Sequence, residues 1–352
     1  MVTRINLALQ GGGAHGAFTW GVLDRLLDEE DIEVAGISGT SAGALNGAAF
    51  KAGYARGGRD GARATLDALW ARMGAVQDMR LPGWMGGPIS WMEKFFTPPT
   101  AEIAQIMEYA PPFVAANMLD QVTSPYYYGP FYRNPLQSVV EAFDFEDVCA
   151  GEGPRLFVCA TNVRTGKPRI FTRDQVTTDA ILASACLPTL FQSIEIYDPV
   201  SDRMEAYWDG GYSGNPALFP LFEPDLPEDV VIVSINPLER DEIPITPQQI
   251  ENRVNEISFN TTLLRELRAI AFVQRLLAAQ KIDTGSMKNV LVHMISDDKM
   301  MRELSVATKM VPNPVVLLSL KAAGQAAADG FLAQHRAALG KTSTVDLPGM
   351  LS

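Results

Sequence analysis

Short apolar runs alternate with segments of helical period through the first part of the chain. Residues 5–9 form an apolar run that predicts a strand, and residues 14–27 place apolar side chains on one face of a predicted helix. Residues 34–37 predict a second strand, which leads into a helix of small residues after Ser41. This β-α-β-α order predicts an α/β fold in which crossover helices cover a central sheet.

The sheet is expected to continue beyond this first unit. Further strands are predicted over residues 156–161, 170–172, 230–235 and 290–295. After Pro247, apolar positions recur at helical spacing to about Gln280, which predicts a long amphipathic helix, and a final helix is predicted over residues 318–339. We therefore expect one main domain over residues 1–240 and a C-terminal helical extension over residues 241–352 that packs on it.

The segment from Trp84 to Tyr132 departs from this alternation. It is rich in proline, methionine and aromatic residues and has weak periodicity, so it predicts an insertion or cap at about 80–135. Trp91 and Phe95 are spaced to share one face of a short helix. Two hypotheses stay open for these aromatic side chains: contact with a lipid surface, or packing as a satellite core or subunit contact.

Composition and charge exclude several classes of protein. With 47% hydrophobic and 20% charged residues, the chain is able to bury a large core, which excludes disordered and fibrous proteins. The net charge of -12 repels polyanions, and the longest basic stretch, residues 164–169, contains a glycine and a proline that are typical of a turn. We therefore expect no nucleic-acid partner.

The three cysteines, Cys149, Cys159 and Cys186, lack the paired spacing of a metal site or a disulfide framework. The apolar run near the N-terminus is too short for a signal peptide, and no later stretch of about 18 apolar residues is free of charge. These features predict a soluble protein in the cytoplasm, where thiols stay reduced.

The strongest chemical motif follows the second predicted strand. Residues 39–43 read Gly-Thr-Ser-Ala-Gly, the G-x-S-x-G pattern of a nucleophile elbow. In such an elbow a tight turn between strand and helix exposes the serine, here Ser41, and Gly39 and Gly43 remove side chains that would clash. The alternative is a loop in which Ser41 only caps the following helix.

Consecutive glycines, Gly11, Gly12 and Gly13, end the first predicted strand and leave backbone N–H groups free to face an anion. An oxyanion hole beside Ser41 is the favoured interpretation, because neighbouring parallel strands bring both loops to one sheet edge. Together with Gly16 these residues also match the G-x-G-x-x-G pattern of a dinucleotide site. That site needs an acidic residue at the end of the second strand, whereas Glu33 stands at its beginning.

A serine nucleophile needs a base, and none of the three histidines has an obvious catalytic setting. His293 lies between apolar residues of a predicted strand, which favours a hydrogen-bonded structural histidine. Asp209 precedes Gly210 and Gly211, which allow a tight turn that projects the carboxylate into a cleft. A partly desolvated aspartate has a raised pKa and accepts a proton more readily, so a Ser-Asp dyad is able to work without imidazole; a plain Asp-Gly turn is the alternative.

These three motifs together resemble the patatin-like phospholipase family over roughly residues 5–236, as does the segment 183–188, Ala-Ser-Ala-Cys-Leu-Pro. The resemblance implies a three-layer α/β/α sheet and a serine esterase that hydrolyses lipid acyl esters. It makes Ser41 the nucleophile, Asp209 the base and Gly11 to Gly13 the oxyanion hole, all within a catalytic domain over residues 1–240. Around Phe259 and Asn260 the extension is similar to one found in a bacterial branch of the family.

The pattern departs from plant members of the family at two positions, because Gln10 and His15 stand where an acidic and a basic residue flank the glycines. This puts in doubt any guanidinium near the oxyanion. Two alternatives remain: an α/β-hydrolase with the triad Ser41, Asp209 and His293, and a catalytically weak lipid-binding regulatory protein. We expect no metal or cofactor, a lipid ester substrate and transient peripheral membrane contact; lipid class, chain length and oligomeric state stay open.

Overall fold

The computed structural model describes residues 2–76, 124–241, 243–283, 285–304 and 306–352. Most of the segment that the sequence marks as an insertion or cap, including Trp91 and Phe95, lies outside these residues. Its described end forms a short 3-10 helix, Pro125–Phe131.

A mixed central sheet contains the strands of the described residues. The strands are β1 (Thr3–Leu9), β2 (Ile32–Thr40), β3 (Arg155–Asn162), β4 (Pro168–Thr172), β5 (Ile194–Asp198), β6 (Arg203–Asp209), β7 (Asp229–Val233) and β8 (Leu291–Ile295). Their order is β5-β6-β3-β2-β1-β7-β8, with β4 paired to β3. The five strands from β3 to β8 in this order are parallel, whereas β4, β5 and β6 form antiparallel pairs.

Helices connect and cover these strands. In the described residues they are α1 (Ala17–Leu26), α2 (Ala42–Met73), α3 (Gln137–Val140), α4 (Phe145–Cys149), α5 (Thr178–Ser184), α6 (Pro247–Ala278), α7 (Asp298–Glu303), α8 (Val306–Met310), α9 (Pro314–His335) and α10 (Leu347–Met350). Helix α2 is kinked at Gly57 and Gly58, where Gly58 has a φ of 60°. Helix α6 begins at a capping box, in which Thr246 and Gln249 bond each other's backbone N–H groups.

Both faces of the sheet are buried, as the alternation of side chains along its central strands shows. Leu7 and Val231 face a core that includes residues of α1, α2, α5 and α9, whereas Ala8 and Ile232 face a second core that includes residues of α6. Because every second residue of a strand points to the same face, the two cores lie on opposite sides of the sheet. The architecture is therefore a three-layer α/β/α sandwich, as predicted.

The C-terminal segment is built into this sandwich. Strand β8 pairs with β7 in parallel and extends the sheet. Helix α9 packs on α1 so closely that a Cβ at Gly21 would collide with the Lys321 carbonyl, and one at Gly324 with the Phe18 carbonyl. Among the described helices, the one spanning Pro314–Ala338 has the length and apolar composition of a membrane span. Its contact with α1 accounts for that composition, since the buried side of a core helix is apolar too.

Candidate active site

Ser41 stands at the turn between β2 and α2. Its φ of 55° is positive, a conformation that costs energy for any residue except glycine. Close packing makes glycines necessary around it: a Cβ at Gly39 would lie 2.5 Å from the Gly43 carbonyl oxygen, and a Cβ at Gly43 would collide with the Leu9 carbonyl oxygen. This is the geometry of a nucleophile elbow.

Ser184, the last residue of α5, links the elbow to the neighbouring strand β3. Its hydroxyl accepts a hydrogen bond from the Ser41 backbone N–H at 2.9 Å and donates one to the Cys159 carbonyl at 2.6 Å. Ser184 is fully buried at the end of α5, so these bonds are shielded from water. These bonds link the strained backbone of Ser41 to β3. The Ser41 side chain makes no capping hydrogen bond to α2.

Asp209 reaches the same edge of the sheet from an antiparallel strand. Thr40 on β2 pairs with Cys159 on β3, and the next residue of β3, Ala160, pairs with Asp209. Ser41 and Asp209 therefore lie on either side of β3, about two strand spacings or 10 Å apart along the sheet, which side chains from both sides are able to bridge.

Two glycines let the chain turn directly after Asp209. A Cβ at Gly210 would collide with the Cys159 carbonyl, and one at Gly211 would lie 2.7 Å from the Phe259 ring. The Gly211 N–H donates to Asp209 Oδ1 at 2.7 Å. The other carboxyl oxygen, Oδ2, is buried and has no hydrogen-bond partner among the described residues. It is therefore available to the group it faces.

The environment of Asp209 favours its protonated form. The carboxyl is fully buried, and this burial raises its pKa from 3.8 to about 7, although the bond from Gly211 and the interaction with the Ser41 side chain oppose the rise. A carboxylate with a pKa near neutrality accepts a proton more readily than an ordinary aspartate. Ser41 and a carboxyl group of raised pKa are thus brought to the same edge of the sheet.

The glycine loop lies against the elbow, since a Cβ at Gly11 would be 2.6 Å from the Ser41 Cβ. The Gly11 N–H is already engaged, because it donates to Asn215 Oδ1 at 2.7 Å. Gly12 and Gly13 have no such hydrogen bond from their N–H groups to any described residue. Of the three predicted oxyanion donors, Gly12 and Gly13 are therefore the ones left for a ligand.

Gln10 and His15, the two departures from the plant pattern, are both buried. Gln10 Oε1 accepts hydrogen bonds from the N–H groups of Ile235 and Asn236 and so anchors the glycine loop to the chain after β7. His15 Nε2 is 2.8 Å from Thr308 Oγ1 on α8. Burial, reinforced by the charge of Lys309, lowers the pKa of His15 well below 6.5, so this residue is neutral at pH 7 and supplies no cation to the loop.

The structure argues against a dinucleotide site, because such a site needs an acidic residue at the end of β2. Glu33 lies near the start of β2, at the sheet edge opposite the glycine loop, and pairs with Arg4 at 3.3 Å. Within the described ranges, no group of three His, Cys, Asp or Glu side chains is arranged to hold a metal ion. The three cysteines are free.

His293 lies far from Ser41. Its Nε2 is 2.9 Å from Asp229 Oδ1 and its Nδ1 is 3.1 Å from Thr344 Oγ1, so both ring nitrogens have partners. Asp229 is the first residue of β7, at the sheet edge opposite the elbow. This is the hydrogen-bonded structural histidine that the sequence predicts, and it leaves the triad alternative without its base.

Replacement of His293 by alanine tests this assignment. We expect His293→Ala to lower thermal stability, because it leaves a cavity and removes one of the two hydrogen-bond partners of Asp229 Oδ1, but to keep kcat/KM within about threefold of the wild type. A triad histidine would cost several powers of ten instead. Esterase kinetics below the unfolding temperature check the prediction, and a large loss of kcat in the folded variant would contradict it.

An apolar cleft opens beside Ser41. Most of its lining is aliphatic, sulfur-containing or aromatic: Gly13, Ser41, Ala42, Leu45, Met73, Leu136, Ala185, Leu187, Leu190, Phe191 and Met310. The residues come from the glycine loop, the elbow, both ends of α2, the residue before α3, the loop after α5, and α8 in the C-terminal extension. Such a cleft suits a hydrocarbon chain next to a reacting carbonyl group.

Sequence reasoning missed several residues that shape the site. Ser184 lies in the segment 183–188 that the resemblance singled out, but its bond to the elbow was not foreseen. The side chains of Asn215 and Asn236, which hold Gly11, and the approach of Met310 to the cleft have no local signal. Each of these contacts joins residues that are far apart in the chain.

Comparison with family models identifies the family to which this chain belongs. A search of curated proteins finds no match. Among solved structures, VipD from Legionella pneumophila is similar with a TM-score of 0.43 and 15% sequence identity, over 94% of this chain and 67% of that chain. The family model for patatin-like phospholipase matches residues 7–222, more than half of the chain, and includes the glycine loop, the elbow and Asp209. The chain therefore belongs to the patatin-like phospholipase family.

Proposed function

We propose that this protein is a serine hydrolase that cleaves lipid carboxyl esters through a Ser41–Asp209 dyad and an acyl-enzyme intermediate. Membership of the family implies lipid acyl hydrolase activity in general terms. The observation that carries the specific mechanism is the buried Asp209 carboxyl, with a pKa of about 7, beside a serine held in an elbow.

In the proposed acylation step, ionised Asp209 takes the proton of the Ser41 hydroxyl while Ser41 Oγ forms a bond to the ester carbonyl carbon. The carbonyl oxygen gains the negative charge and accepts hydrogen bonds from the Gly12 and Gly13 N–H groups. When the tetrahedral intermediate collapses, the ester C–O bond breaks and Asp209 returns its proton to the leaving alcohol.

The second step releases the acyl group. Asp209 takes a proton from water, the hydroxide oxygen attacks the acyl-enzyme carbonyl, and the Ser41–acyl bond breaks with return of the proton to Ser41. Both steps need one hydroxyl, one carboxylate and backbone donors, so the proposed chemistry uses no metal or cofactor. The hydrogen bond from the Ser41 N–H to the Ser184 hydroxyl keeps Ser41 in position in both steps.

The proposed substrate is a lipid whose acyl chain enters the apolar cleft beside Ser41. The described end of the cap segment adjoins this cleft, because the Tyr126 hydroxyl is 2.8 Å from Ser193 Oγ and the preceding residues Leu190 and Phe191 line the cleft. Tyr127 is 78% exposed next to it. An exposed aromatic residue in the segment that adjoins the cleft supports transient contact with a lipid surface, and we propose that the protein is cytoplasmic.

Replacement of Trp91 and Phe95 by serine tests the lipid contact. We expect this double variant to lose at least about fivefold of its activity on long-chain lipid in vesicles and to keep its activity on a short soluble ester, because only the aggregated substrate needs a docking surface. The net charge of -12 opposes attraction to anionic membranes, so docking is expected to rest on apolar insertion and to depend little on salt. Equal activity on both substrates, or equal loss with unfolding, would contradict the lipid contact and favour a packing role.

A fluorophosphonate label and a panel of lipid esters test the proposed function itself. A hydrolase with an activated serine is labelled at Ser41 and turns over at least one of the phospholipid, lysophospholipid and neutral esters, with Ser41→Ala as the inactive control. A protein that binds these lipids but shows neither labelling nor turnover is the lipid-binding regulatory protein of the alternative hypothesis.

A further inference from the structure

Helix α8 of the C-terminal extension lies directly against the glycine loop. A Cβ at Gly13 would be 2.5 Å from the Lys309 carbonyl oxygen, so the two backbones touch, and Gly13 has a φ of 58° at this point. His15, two residues further on, is 2.8 Å from Thr308 Oγ1. Met310, the next residue of α8, lines the cleft beside Ser41. One short helix thus contacts the loop that bears the oxyanion donors and also the cleft.

The side chain of Lys309 points away from the loop to a buried carboxylate on α6. Lys309 Nζ lies 3.2 Å from Glu256 Oε1 and 3.2 Å from Asn252 Oδ1. The Glu256 side chain has no exposed surface, and Arg240 contacts both of its oxygens, at 2.7 Å and 2.8 Å. The Lys309 side chain is therefore bonded to α6, whereas the Lys309 backbone contacts Gly13.

Two cationic side chains keep the buried Glu256 carboxyl ionised. Burial by itself would raise the pKa of Glu256, but Arg240 and Lys309 outweigh it and hold that pKa at about 2. An ion pair with several hydrogen bonds inside a protein permits little variation in geometry. The helix is short, with five residues, so this contact determines much of where it lies.

We infer that Glu256 and Lys309 are positioning residues of the active site, which press α8 against the glycine loop and so aim the Gly12 and Gly13 N–H groups at the oxyanion. The inference rests on the proposed function for its chemical meaning. It makes the C-terminal extension a component of the catalytic unit, beyond residues 7–222 that the family model covers.

Lys309→Met is the variant that tests this inference. It removes the link to α6 but leaves Glu256 paired with both Arg240 contacts, so the buried carboxylate keeps a partner and the fold is expected to survive. We expect fluorophosphonate labelling of Ser41 and kcat for a short ester to fall about tenfold to a hundredfold, because a small displacement of groups near the reacting atoms has effects of this size. KM for the short ester should change less than kcat.

Hydrogen exchange supplies a readout that does not depend on activity. In Lys309→Met, we expect faster exchange in a peptide that spans residues 10–16, with unchanged exchange in strand β8. His293→Ala is the matched control, since it also removes a buried polar side chain from the extension but has no contact with α8 or the glycine loop. If Lys309→Met does not fold, Thr308→Val takes the place of that variant in the same comparison. It removes the hydrogen bond between Thr308 and His15.

The outcomes separate the two proposals. Slow labelling and fast loop exchange in Lys309→Met, but not in His293→Ala, support a positioning role. Labelling as fast as in the control, or unchanged exchange over residues 10–16, overturns it. A wild-type protein that neither reacts with the label nor hydrolyses esters overturns the proposed function instead, and the exchange comparison then decides alone whether Lys309 orders the loop.

Discussion

Ser41→Ala and Asp209→Asn are each expected to reduce ester hydrolysis more than about a thousandfold, and the double variant is expected to be little worse than either. In the proposed mechanism the two side chains act as one unit: a hydroxyl without its base attacks slowly, and a base without the hydroxyl has no nucleophile to activate. Steady-state kinetics on a short ester, where lipid docking does not interfere, measure all three variants.

The controls for this prediction come from the same site. Ser184→Ala keeps both reacting groups and removes only the hydroxyl that bonds the Ser41 N–H, so its loss should be smaller than that of either dyad variant. Circular dichroism shows whether each variant is folded. Full activity of folded Asp209→Asn would remove Asp209 from the mechanism, and additive losses in the double variant would mean that the two residues act separately.

The pH profile of kcat/KM is expected to rise with an apparent pKa of about 7, since in the proposed mechanism only ionised Asp209 accepts the Ser41 proton. At two pH units below that value, about one hundredth of the carboxyl is ionised, so the rate should be about a hundredfold below its plateau. An ordinary aspartate would give a limb near pH 4 instead.

A second buried carboxyl provides the control for the pH profile. Burial also raises the pKa of Glu266 to about 7, and this residue accepts hydrogen bonds from the Leu218 and Phe219 N–H groups away from Ser41. Glu266→Gln should therefore leave the acid limb in place. A limb that moves in Glu266→Gln, or one that lies near pH 4 in the wild type, would contradict the assignment to Asp209.

The raised pKa of Asp209 also has a consequence for stability. The folded protein binds the proton at about pH 7 and the unfolded chain near pH 4, so the contribution of this carboxyl to stability is fully present below pH 4 and is lost as the pH rises through 7. Asp209→Asn, which is neutral at every pH, should therefore unfold at a higher temperature than the wild type at pH 8. This gain shrinks as the pH falls toward 4, which distinguishes it from a uniform packing effect.

The parts of this protein that the sequence predicts by itself are those with a local cause. A strand, a tight turn flanked by Gly39 and Gly43, and a helix of small residues follow one another within a few positions, so the elbow at Ser41 is visible in the chain. The apolar period after Pro247 likewise predicts α6, which runs from Pro247 to Ala278. In both cases, neighbours in the sequence determine the backbone conformation.

Strands β5 and β6 mark the limit of that local information. Apolar and polar side chains alternate in Ile194, Glu195 and Ile196, as in an edge strand. The strand has only five residues, however, and its side chains are at most partly buried. Only pairing with β6 makes the segment a strand, and only the register of β6 on β3 brings Asp209 to the level of Ser41. The motif at Asp209 therefore indicated a role, whereas the sheet determined its partner.

The remaining features of the site depend on tertiary structure alone. The Gly11 N–H is engaged by Asn215, the elbow is held by Ser184, and Gly13 is pressed by Lys309, which lies almost three hundred residues further along the chain. No periodicity or spacing encodes these contacts, because each of them arises where separate elements pack against one another. The sequence by itself identified Ser41 and Asp209 as candidate reacting groups, and the packing of distant segments decided which other groups lie beside them.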